Sequence, residues 1–329
     1  MENKTENRIL LETTELRKEF VKDKTLLGKP LSLLKAVDGV NLTIHEGEIL
    51  GLVGESGCGK STLGRMLVGL CEPTGGKITF DGKDITHLPQ RELRAYRRDI
   101  QIVFQDPYAS LNPRMTVLQA VRAPLDAFRV GTPSERDEKV RDTLLEVGLT
   151  EEYLKKYPHE MSGGQRQRAA IARAMILQPR LVVCDEPVSA LDVSVRAQVL
   201  NLMKTLQQQN GAAYLFISHD LSVTHHLCGR IAVMYLGKVV ELADKDALYD
   251  APLHPYTQAL LSAIPLPERS GRRVHASLQG DVPSPLNPPS GCRFHTRCQY
   301  CTARCREETP ALRETRPGHF AACHLVQES

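Results

Sequence analysis

Residues 48–62 read EILGLVGESGCGKST, and this stretch decides the fold. Its mostly apolar start predicts a buried strand, a glycine-rich turn follows, and a helix is expected to begin near Lys60. The spacing G-x-x-x-x-G-K-[ST] in this context is typical of a phosphate-binding loop, because glycines let successive backbone N–H groups face phosphate oxygens. The predicted nucleotide-binding residues are Gly54, Glu55, Ser56, Gly57, Cys58, Gly59, Lys60, Ser61 and Thr62.

Two side chains of this loop have separate predicted roles. The Lys60 ammonium is expected to reach the β- and γ-phosphates of ATP, and the Ser61 hydroxyl is expected to reach a bound Mg²⁺. The start of the following helix adds positive potential at the same place.

A second motif, LVVCDE, spans residues 181–186 and ends in two acidic residues. Four apolar residues predict a buried strand, and two carboxylates follow at its C-terminal end, where ligands bind in open α/β sheets. Asp185 is placed to hold Mg²⁺ through water, and Glu186 to position or activate the attacking water.

The rest of the first 250 residues alternates short apolar runs with helical patterns, which favours an α/β fold. Residues 214–217 predict another strand, and residues 231–242 predict a hairpin that turns at Gly237. From Asp106 to Gln178 only helical spacing occurs, which predicts a helical subdomain at about 106–178. Because eight prolines fall between Pro252 and Pro289, that segment is expected to be largely extended and loop-like, and a domain boundary is predicted near residue 250.

Composition limits the possible functions. The 329 residues are 41% hydrophobic and 25% charged, with a formal net charge of +3 and no Trp. This small charge and the few aromatics argue against nucleic acid as the main partner. The N-terminus does not have the pattern of a signal peptide, and no stretch of about 18 apolar residues predicts a membrane span.

Further motifs resemble those of ABC ATPases and follow the family's order. Residues 161–165 read MSGGQ, which resembles the LSGGQ signature with Met for the first Leu. Gln105 in VFQDP resembles the Q-loop glutamine, SALD at 189–192 the D-loop, and His219 in ISHD the switch histidine. Phe20 lies where the family has an aromatic residue that stacks on adenine. The resemblance covers about residues 10–250 and implies a P-loop NTPase of the ABC type.

The resemblance also implies a mechanism. ABC domains work as head-to-tail dimers, in which one subunit's phosphate loop and Glu186 face the partner's signature. Catalytic roles are then expected for Glu186, His219 and Gln105, and Mg²⁺ ligation for Ser61, Gln105 and Asp185. The further nucleotide contacts that the resemblance implies are Phe20, Gln105, Ser162, Gly163, Gly164, Gln165, Asp185 and Asp192.

Residues 251–329 resemble the C-terminal extension of ATPase subunits of dipeptide and oligopeptide importers. The matching strings are HPYT at 254–257, LLSA at 260–263, PSPLNPP at 283–289 and GCxF at 291–294. The resemblance implies two transmembrane permease subunits, a second related ATPase and, indirectly, an extracytoplasmic peptide-binding protein as partners, with the chain at the cytoplasmic face of the inner membrane. A nickel or other small-solute importer is the alternative, and an ABC ATPase acting on DNA or ribosomes is less favoured.

Five of the nine cysteines lie in the last 38 residues. Clustered cysteines in a chain without an export signal indicate metal rather than disulfides. In the importer family, cysteines spaced like Cys292, Cys298, Cys305 and Cys323 resemble the ligands of a [4Fe–4S] cluster, with Cys301 outside the pattern. Zinc and free thiols remain alternatives. The arginines of this segment are expected to form a solvated or cluster-screening surface, namely Arg293, Arg297, Arg304 and Arg306.

Overall fold

The computed structural model describes residues 8–24, 30–263 and 280–327. Its strands are β1 (Ile9–Lys24), β2 (Pro30–His45), β3 (Ile49–Val53), β4 (Gly75–Phe80), β5 (Lys83–Asp84), β6 (Ile100–Val103), β7 (Leu181–Asp185), β8 (Ala213–Ser218), β9 (Arg230–Tyr235), β10 (Lys238–Asp244), β11 (Arg313–Arg316) and β12 (His319–Ala321).

The helices in the same ranges are α1 (Lys60–Leu67), α2 (Gln90–Tyr96), α3 (Pro107–Ser110), α4 (Val117–Phe128), α5 (Pro133–Glu146), α6 (Gly163–Met175), α7 (Val193–Asn210), α8 (Leu221–Leu227), α9 (Lys245–Asp250), α10 (Pro255–Ser262), α11 (Ala303–Glu307) and α12 (His324–Gln327). Short 3₁₀ turns occur at Glu151–Tyr153, Pro158–Glu160 and His295–Arg297.

The chain divides into two compact units. The first contains His45–Glu48 and Leu88–Ile217 together with Arg8. In it, β6, β7 and β8 run parallel, with Ile100 opposite Leu181 and Leu181 opposite Ala213. All residues of β7 and β8 are buried, as expected for parallel strands that are covered on both faces.

The second unit contains Ile9–Ile44, Ile49–His87 and the described part of Ser218–Ser329. Its strands β3 and β9 pair in parallel, β9 and β10 form an antiparallel hairpin, and β12 and β11 extend this sheet from β10. A second, four-stranded sheet has the order β2, β1, β4, β5. The C-terminal strands therefore belong to the same unit as the strand before the phosphate loop.

Three helices of the first unit begin with the same device. At α4, α5 and α6 the N-cap hydroxyl accepts from the backbone N–H three residues later, and the side chain of that later residue accepts from the N-cap N–H. This reciprocal capping pairs two N–H groups that a helix start would otherwise leave without partners. The three pairs are Thr116 with Gln119, Thr132 with Glu135, and Ser162 with Gln165.

The structure confirms the strands expected at 48–53, 181–184 and 214–217, and the hairpin that turns at Gly237. Between Val103 and Leu181 it contains helices and no strand. The organisation into domains 1–250 and 251–329, with a helical subdomain at about 106–178, stays a prediction.

The segment from Pro252 to Pro289, expected to be largely extended, contains one helix. Pro255 begins α10, because proline at the first helical position has a suitable φ and lacks an N–H that would have no helical partner. His254 caps this helix, since its Nδ1 accepts from the N–H of Tyr256 at 3.0 Å. Residues 264–279 of the segment lie outside the described residues.

Candidate functional site

The phosphate-binding loop connects β3 to α1 in the second unit. Gly54 and Gly59 have φ angles of 154° and 109°. A Cβ atom added to them would lie 2.1 Å from the carbonyl oxygen of Met234 and 2.0 Å from that of Ala36. Neither position can accept a side chain, so both glycines are required by the close approach of neighbouring backbone.

Lys60, the first residue of α1, is buried and points back into the loop. Its Nζ donates to the carbonyl oxygens of Gly54 and Glu55 at 2.7 and 3.0 Å. The ammonium therefore sits among loop carbonyls, within the curl where phosphate oxygens are expected. Of the other predicted loop residues, Ser56 and Gly57 are exposed and Cys58 is buried. Ser61 and Thr62 lie in the first turn of α1.

Two further predicted residues belong to the same unit. Phe20 lies on β1 and is 42% exposed, with the ammonium of Lys18 at 5.1 Å from its ring centroid. An exposed aromatic ring of this kind is available for stacking. His219 is exposed and lies between β8 and α8.

The first unit holds the acidic pair. Asp185 ends β7 and is buried, and Glu186 follows it with a positive φ of 48°. The amide Nε2 of Gln105 donates to Oε2 of Glu186 at 3.0 Å, across 81 residues of sequence. The predicted Q-loop glutamine and the predicted catalytic carboxylate are thus in direct contact.

The signature residues form the start of α6 in this unit. Ser162 is the N-cap, Gly163 and Gly164 lie in the first turn, and the Gln165 Nε2 also donates to the Tyr153 hydroxyl at 2.8 Å. A Cβ atom on Gly164 would come within 2.5 Å of Val195 on α7, so this glycine lets the two helices approach closely. Asp192, the predicted D-loop residue, is the residue before α7.

The structure therefore groups the predicted nucleotide residues in two sets. The first unit contains Gln105, Ser162, Gly163, Gly164, Gln165, Asp185, Glu186 and Asp192. The second contains Phe20, the loop residues 54–62 and His219.

The C-terminal tail, residues 280–327, contains a pocket lined by four cysteines. They are Cys292, Cys298, Cys305 and Cys323, and His254, His295, His324 and Phe294 also line it. Burial, with the neighbouring thiols contributing, raises the pKa of Cys292 to about 12 and that of Cys298 to about 11. These are the four cysteines that the sequence singles out, and they face one common space.

Cys301 does not line this pocket, and its Sγ contacts the carbonyl oxygen of Thr302 at 3.5 Å. Among the described residues, no three Cys, His, Asp or Glu side chains lie close enough together to hold a single metal ion.

Three basic side chains of the tail pair with carboxylates outside it. Arg297 forms two hydrogen bonds with Glu55 of the phosphate loop, 2.7 and 3.1 Å long. Arg293 binds the carboxylate of Asp38, which also contacts Lys238 at 3.4 Å. Nε2 of His319 lies 2.7 Å from Oε1 of Glu241.

The arginine surface, expected to be solvated or to screen the cluster, is therefore not solvated at two of the four residues. The side chains of Arg293 and Arg297 are buried, while Arg304 is exposed and pairs along its own helix with Glu308. Hydrogen bonding to Glu55 raises the pKa of Arg297 above its ordinary value. Sequence reasoning also missed Tyr256, whose hydroxyl accepts from the N–H of Glu55 at 2.9 Å. It lies in the HPYT string, but no local pattern indicates that contact.

Comparisons with known proteins show the family to which the chain belongs. The family described as ABC transporter matches residues 37–189, and the family described as oligopeptide/dipeptide transporter, C-terminal region, matches residues 240–305. The oligopeptide transport ATP-binding protein AppF of Bacillus subtilis is 52% identical over 319 residues, covering 96% of this chain and 97% of AppF. The chain belongs to the ABC transporter family of ATP-binding subunits.

Other relatives of this ABC ATPase agree. The probable peptide ABC transporter ATP-binding protein y4tS of Sinorhizobium fredii is 50% identical, covering 96% of this chain and 90% of y4tS. Among solved structures, the ATP-binding cassette MJ0796 bound to ADP and Pi, a dimer in a post-hydrolysis state, has a TM-score of 0.65 and 30% identity. It covers 72% of the ABC ATPase and 99% of the MJ0796 chain. Among the described helices, none has both the length and the apolar character needed to cross a membrane.

Proposed function

We propose that this chain is the ATP-hydrolysing subunit of an importer for dipeptides or oligopeptides. The observation that carries the proposal is the joint presence of the curled phosphate loop around Lys60 and a tail that matches the oligopeptide/dipeptide transporter C-terminal region. AppF, similar over nearly the full length of both chains, is named for oligopeptide transport. ATP is the substrate of the site and supplies the energy for transport.

The roles proposed for the site residues follow their chemistry. Lys60 and the loop N–H groups bind the phosphates, Phe20 stacks on adenine, and His219 contacts the γ-phosphate. Mg²⁺, when bound, neutralises phosphate charge. It would be held by Ser61, Gln105 and Asp185, which supply the hard oxygen donors that this ion prefers.

Glu186 is proposed to orient the attacking water and accept its proton. The contact from Gln105 supports this, because the amide donates to one oxygen of the carboxylate and so helps to fix its orientation. The same amide connects Glu186 to the segment that begins α3, so a movement of that segment would change the position of the carboxylate.

The signature residues are proposed to act on a nucleotide held by a second, related ATPase subunit. Ser162, Gly163, Gly164 and Gln165 form a helix start, which supplies backbone N–H groups and positive potential to an anion. Asp192 is proposed to lie at the same interface. The pair would dock on two transmembrane permease subunits at the cytoplasmic face of the inner membrane, supplied by an extracytoplasmic peptide-binding protein and without nucleic acid.

For the domains we propose an ATPase domain at 1–250, with a helical subdomain at about 106–178, and a C-terminal extension at 251–329. The subdomain is supported by helices α3 to α6, which follow one another without an intervening strand. The helical subdomain and the segment after Gln105 are the proposed docking surface for the permeases.

The tail pocket is proposed to hold one [4Fe–4S] cluster on Cys292, Cys298, Cys305 and Cys323. Thiolates suit iron–sulfur clusters, and four of them line one pocket. A single zinc ion needs its ligands within about 2.3 Å of one point, and no such group is found among the described residues. When bound, the cluster would cross-link the tail covalently, as metals do in small loop-rich units.

The catalytic proposal is tested with Glu186→Gln and Lys60→Ala. Glu186→Gln should retain Mg-ATP binding but slow hydrolysis by about 10²- to 10⁴-fold, because the amide cannot accept the proton of water. Lys60→Ala should weaken binding itself. Binding is measured by calorimetry and hydrolysis by phosphate release from the assembled transporter.

Glu92→Gln is the matched control, since Glu92 is exposed on α2, outside the proposed docking surface and away from the proposed site residues. Near-normal hydrolysis by Glu186→Gln would remove Glu186 from its proposed role. The substrate is tested separately, by uptake of dipeptides, oligopeptides and nickel into a strain that lacks the gene. Restoration of nickel uptake alone would contradict peptide import.

A further inference from the structure

The phosphate loop contains one acidic residue, Glu55, directly after its first glycine. A carboxylate at this place is electrostatically unfavourable for a loop that binds a polyanionic ligand. The backbone of Glu55 is also close to the key cation, because Nζ of Lys60 donates to its carbonyl oxygen at 3.0 Å. A Glu55 side chain without another partner could compete with phosphate for Lys60.

The tail supplies that partner. Nη1 and Nη2 of Arg297 each donate to a different carboxylate oxygen of Glu55, at 2.7 and 3.1 Å. The pair is only slightly accessible, with 5% of the Arg297 side chain and 23% of the Glu55 side chain exposed. This two-point arrangement fixes the direction of the carboxylate as well as compensating its charge.

Arg297 is held in place by the turn that carries Phe294 and Cys298, two residues that line the tail pocket. It ends the 3₁₀ turn His295–Arg297, its N–H donates to the carbonyl oxygen of Phe294 at 3.0 Å, and Cys298 follows it. The Phe294 ring packs against Tyr235 and Tyr256 at centroid distances of 5.3 and 5.4 Å. The guanidinium is thus presented to the phosphate loop by a segment that is itself anchored.

Tyr256 contacts the same loop residue from α10. Its hydroxyl accepts from the N–H of Glu55 at 2.9 Å. The backbone donor and the side-chain acceptor of Glu55 are therefore both occupied by residues that lie about 200 or more positions later in the chain.

From this geometry we infer that Arg297 is a positioning residue of the nucleotide site, which neutralises Glu55 and turns its carboxylate away from Lys60 so that ATP can bind. The inference rests on the proposed function of the phosphate loop. It gives the tail a direct part in nucleotide affinity. The tail acts through the charge of Arg297 and the orientation of the Glu55 carboxylate, and not through general stabilisation of the fold.

The test is a double-mutant cycle on the full chain, with Mg-ATP affinity measured by calorimetry. Arg297→Met should weaken binding about tenfold, the size expected for one uncompensated charge near the phosphates. Adding Glu55→Gln to that variant should restore affinity to within about threefold of the wild type, because the competing charge is gone.

Arg304→Met is the matched control, because it removes an exposed arginine of the same segment and should leave affinity unchanged. Arg297→Lys keeps the charge without the two-point contact and should lose less affinity than Arg297→Met; it serves as the test if the Met variant fails to fold. Wild-type affinity in Arg297→Met, or no rescue by Glu55→Gln, would overturn the inference. A tenfold loss in Arg297→Lys, with no rescue by Glu55→Gln, would also overturn it.

Lys60→Ala separates this inference from the proposed function. If Lys60→Ala binds Mg-ATP as the wild type does, the loop is not the nucleotide site and the proposed function fails. If Lys60→Ala loses binding while Arg297→Met retains it, only the role of Arg297 fails.

Discussion

The strands of the core and the tail at 280–327 are stabilised by different kinds of contact. Every residue of β3, β7 and β8 is buried, and these residues are mostly aliphatic or aromatic. The tail has only short helices and strands, and three of its basic side chains contact carboxylates elsewhere in the second unit. Burial of apolar area is not directional, whereas a hydrogen-bonded ion pair fixes particular atoms. The tail is therefore suited to placing individual groups.

The largest expected effect concerns the cysteines of the tail and their proposed iron–sulfur cluster. Cys298 lines the pocket and Cys301 does not. Cys298→Ser should therefore abolish iron binding, while Cys301→Ser should leave it intact. The measurement is iron, sulfide and zinc content after anaerobic purification, with roughly four irons per chain expected in the wild type and in Cys301→Ser. One zinc and no sulfide would contradict the cluster, and loss of iron in Cys301→Ser would contradict the assignment of ligands.

The next effect concerns Glu241, the most buried of the three carboxylates. It is 0% exposed, and its oxygens accept from the N–H groups of Leu253 and His254 and lie beside His319. Glu241→Leu should lower the free energy of unfolding by about 3–5 kcal/mol, because buried donors lose their acceptor. Urea unfolding measures this. Glu308→Leu, which removes an exposed carboxylate of the tail, is the control, and an equal shift in both would show that burial is not the cause.

A smaller effect is expected at Asp38, which is shared by Arg293 and Lys238. Asp38→Asn should lower the free energy of unfolding by about 1–2 kcal/mol at neutral pH, since two charged hydrogen bonds weaken. Asp84→Asn, at an exposed pair with Lys77, is the matched control and should change it less.

The pH dependence of this effect has a definite sign. Burial raises the pKa of Asp38, but Lys238 and Arg293 outweigh burial and hold it below the ordinary value of 3.8. The unfolded state therefore binds the proton first, so the stabilisation is complete above about pH 3.8 and is lost as the pH falls below it. The difference between Asp38→Asn and the wild type should shrink over that acidic range. A difference that stays constant there would contradict a charge effect.

The phosphate loop and the tail also differ in how far the sequence could predict them. Gly54 to Thr62 are consecutive, and the strand, turn and helix that position them can each be predicted from local pattern. Arg297 and Glu55 are separated by 242 residues, and nothing near either residue indicates its partner. The Arg297 neighbourhood is rich in arginine, which on composition alone favours a solvated surface, and only packing distinguishes it from Arg304.

Two features lie between these extremes. The helix at Pro255–Ser262 could have been predicted, because proline is frequent at the first position of a helix and His254 precedes it. The four cysteines of the pocket could be chosen by resemblance, but their common orientation depends on turns and short elements between Gly291 and Cys323 that have no regular period. The contact of Gln105 with Glu186 joins two motifs that are each visible, but the sequence does not give the distance between them.

The cap of α6 has a consequence for which residues position 162 can accept. The Ser162 oxygen accepts from the N–H of Gln165, and a hydroxyl that accepts can also donate its hydrogen to a phosphate oxygen. One atom group can therefore start the helix and serve an anionic ligand at the same time. Aspartate caps helices equally well but brings a negative charge and no hydrogen to donate, whereas threonine retains both abilities. Serine and aspartate are thus of equal capping strength at this position, and a phosphate ligand favours serine because only serine of the two can donate a hydrogen bond.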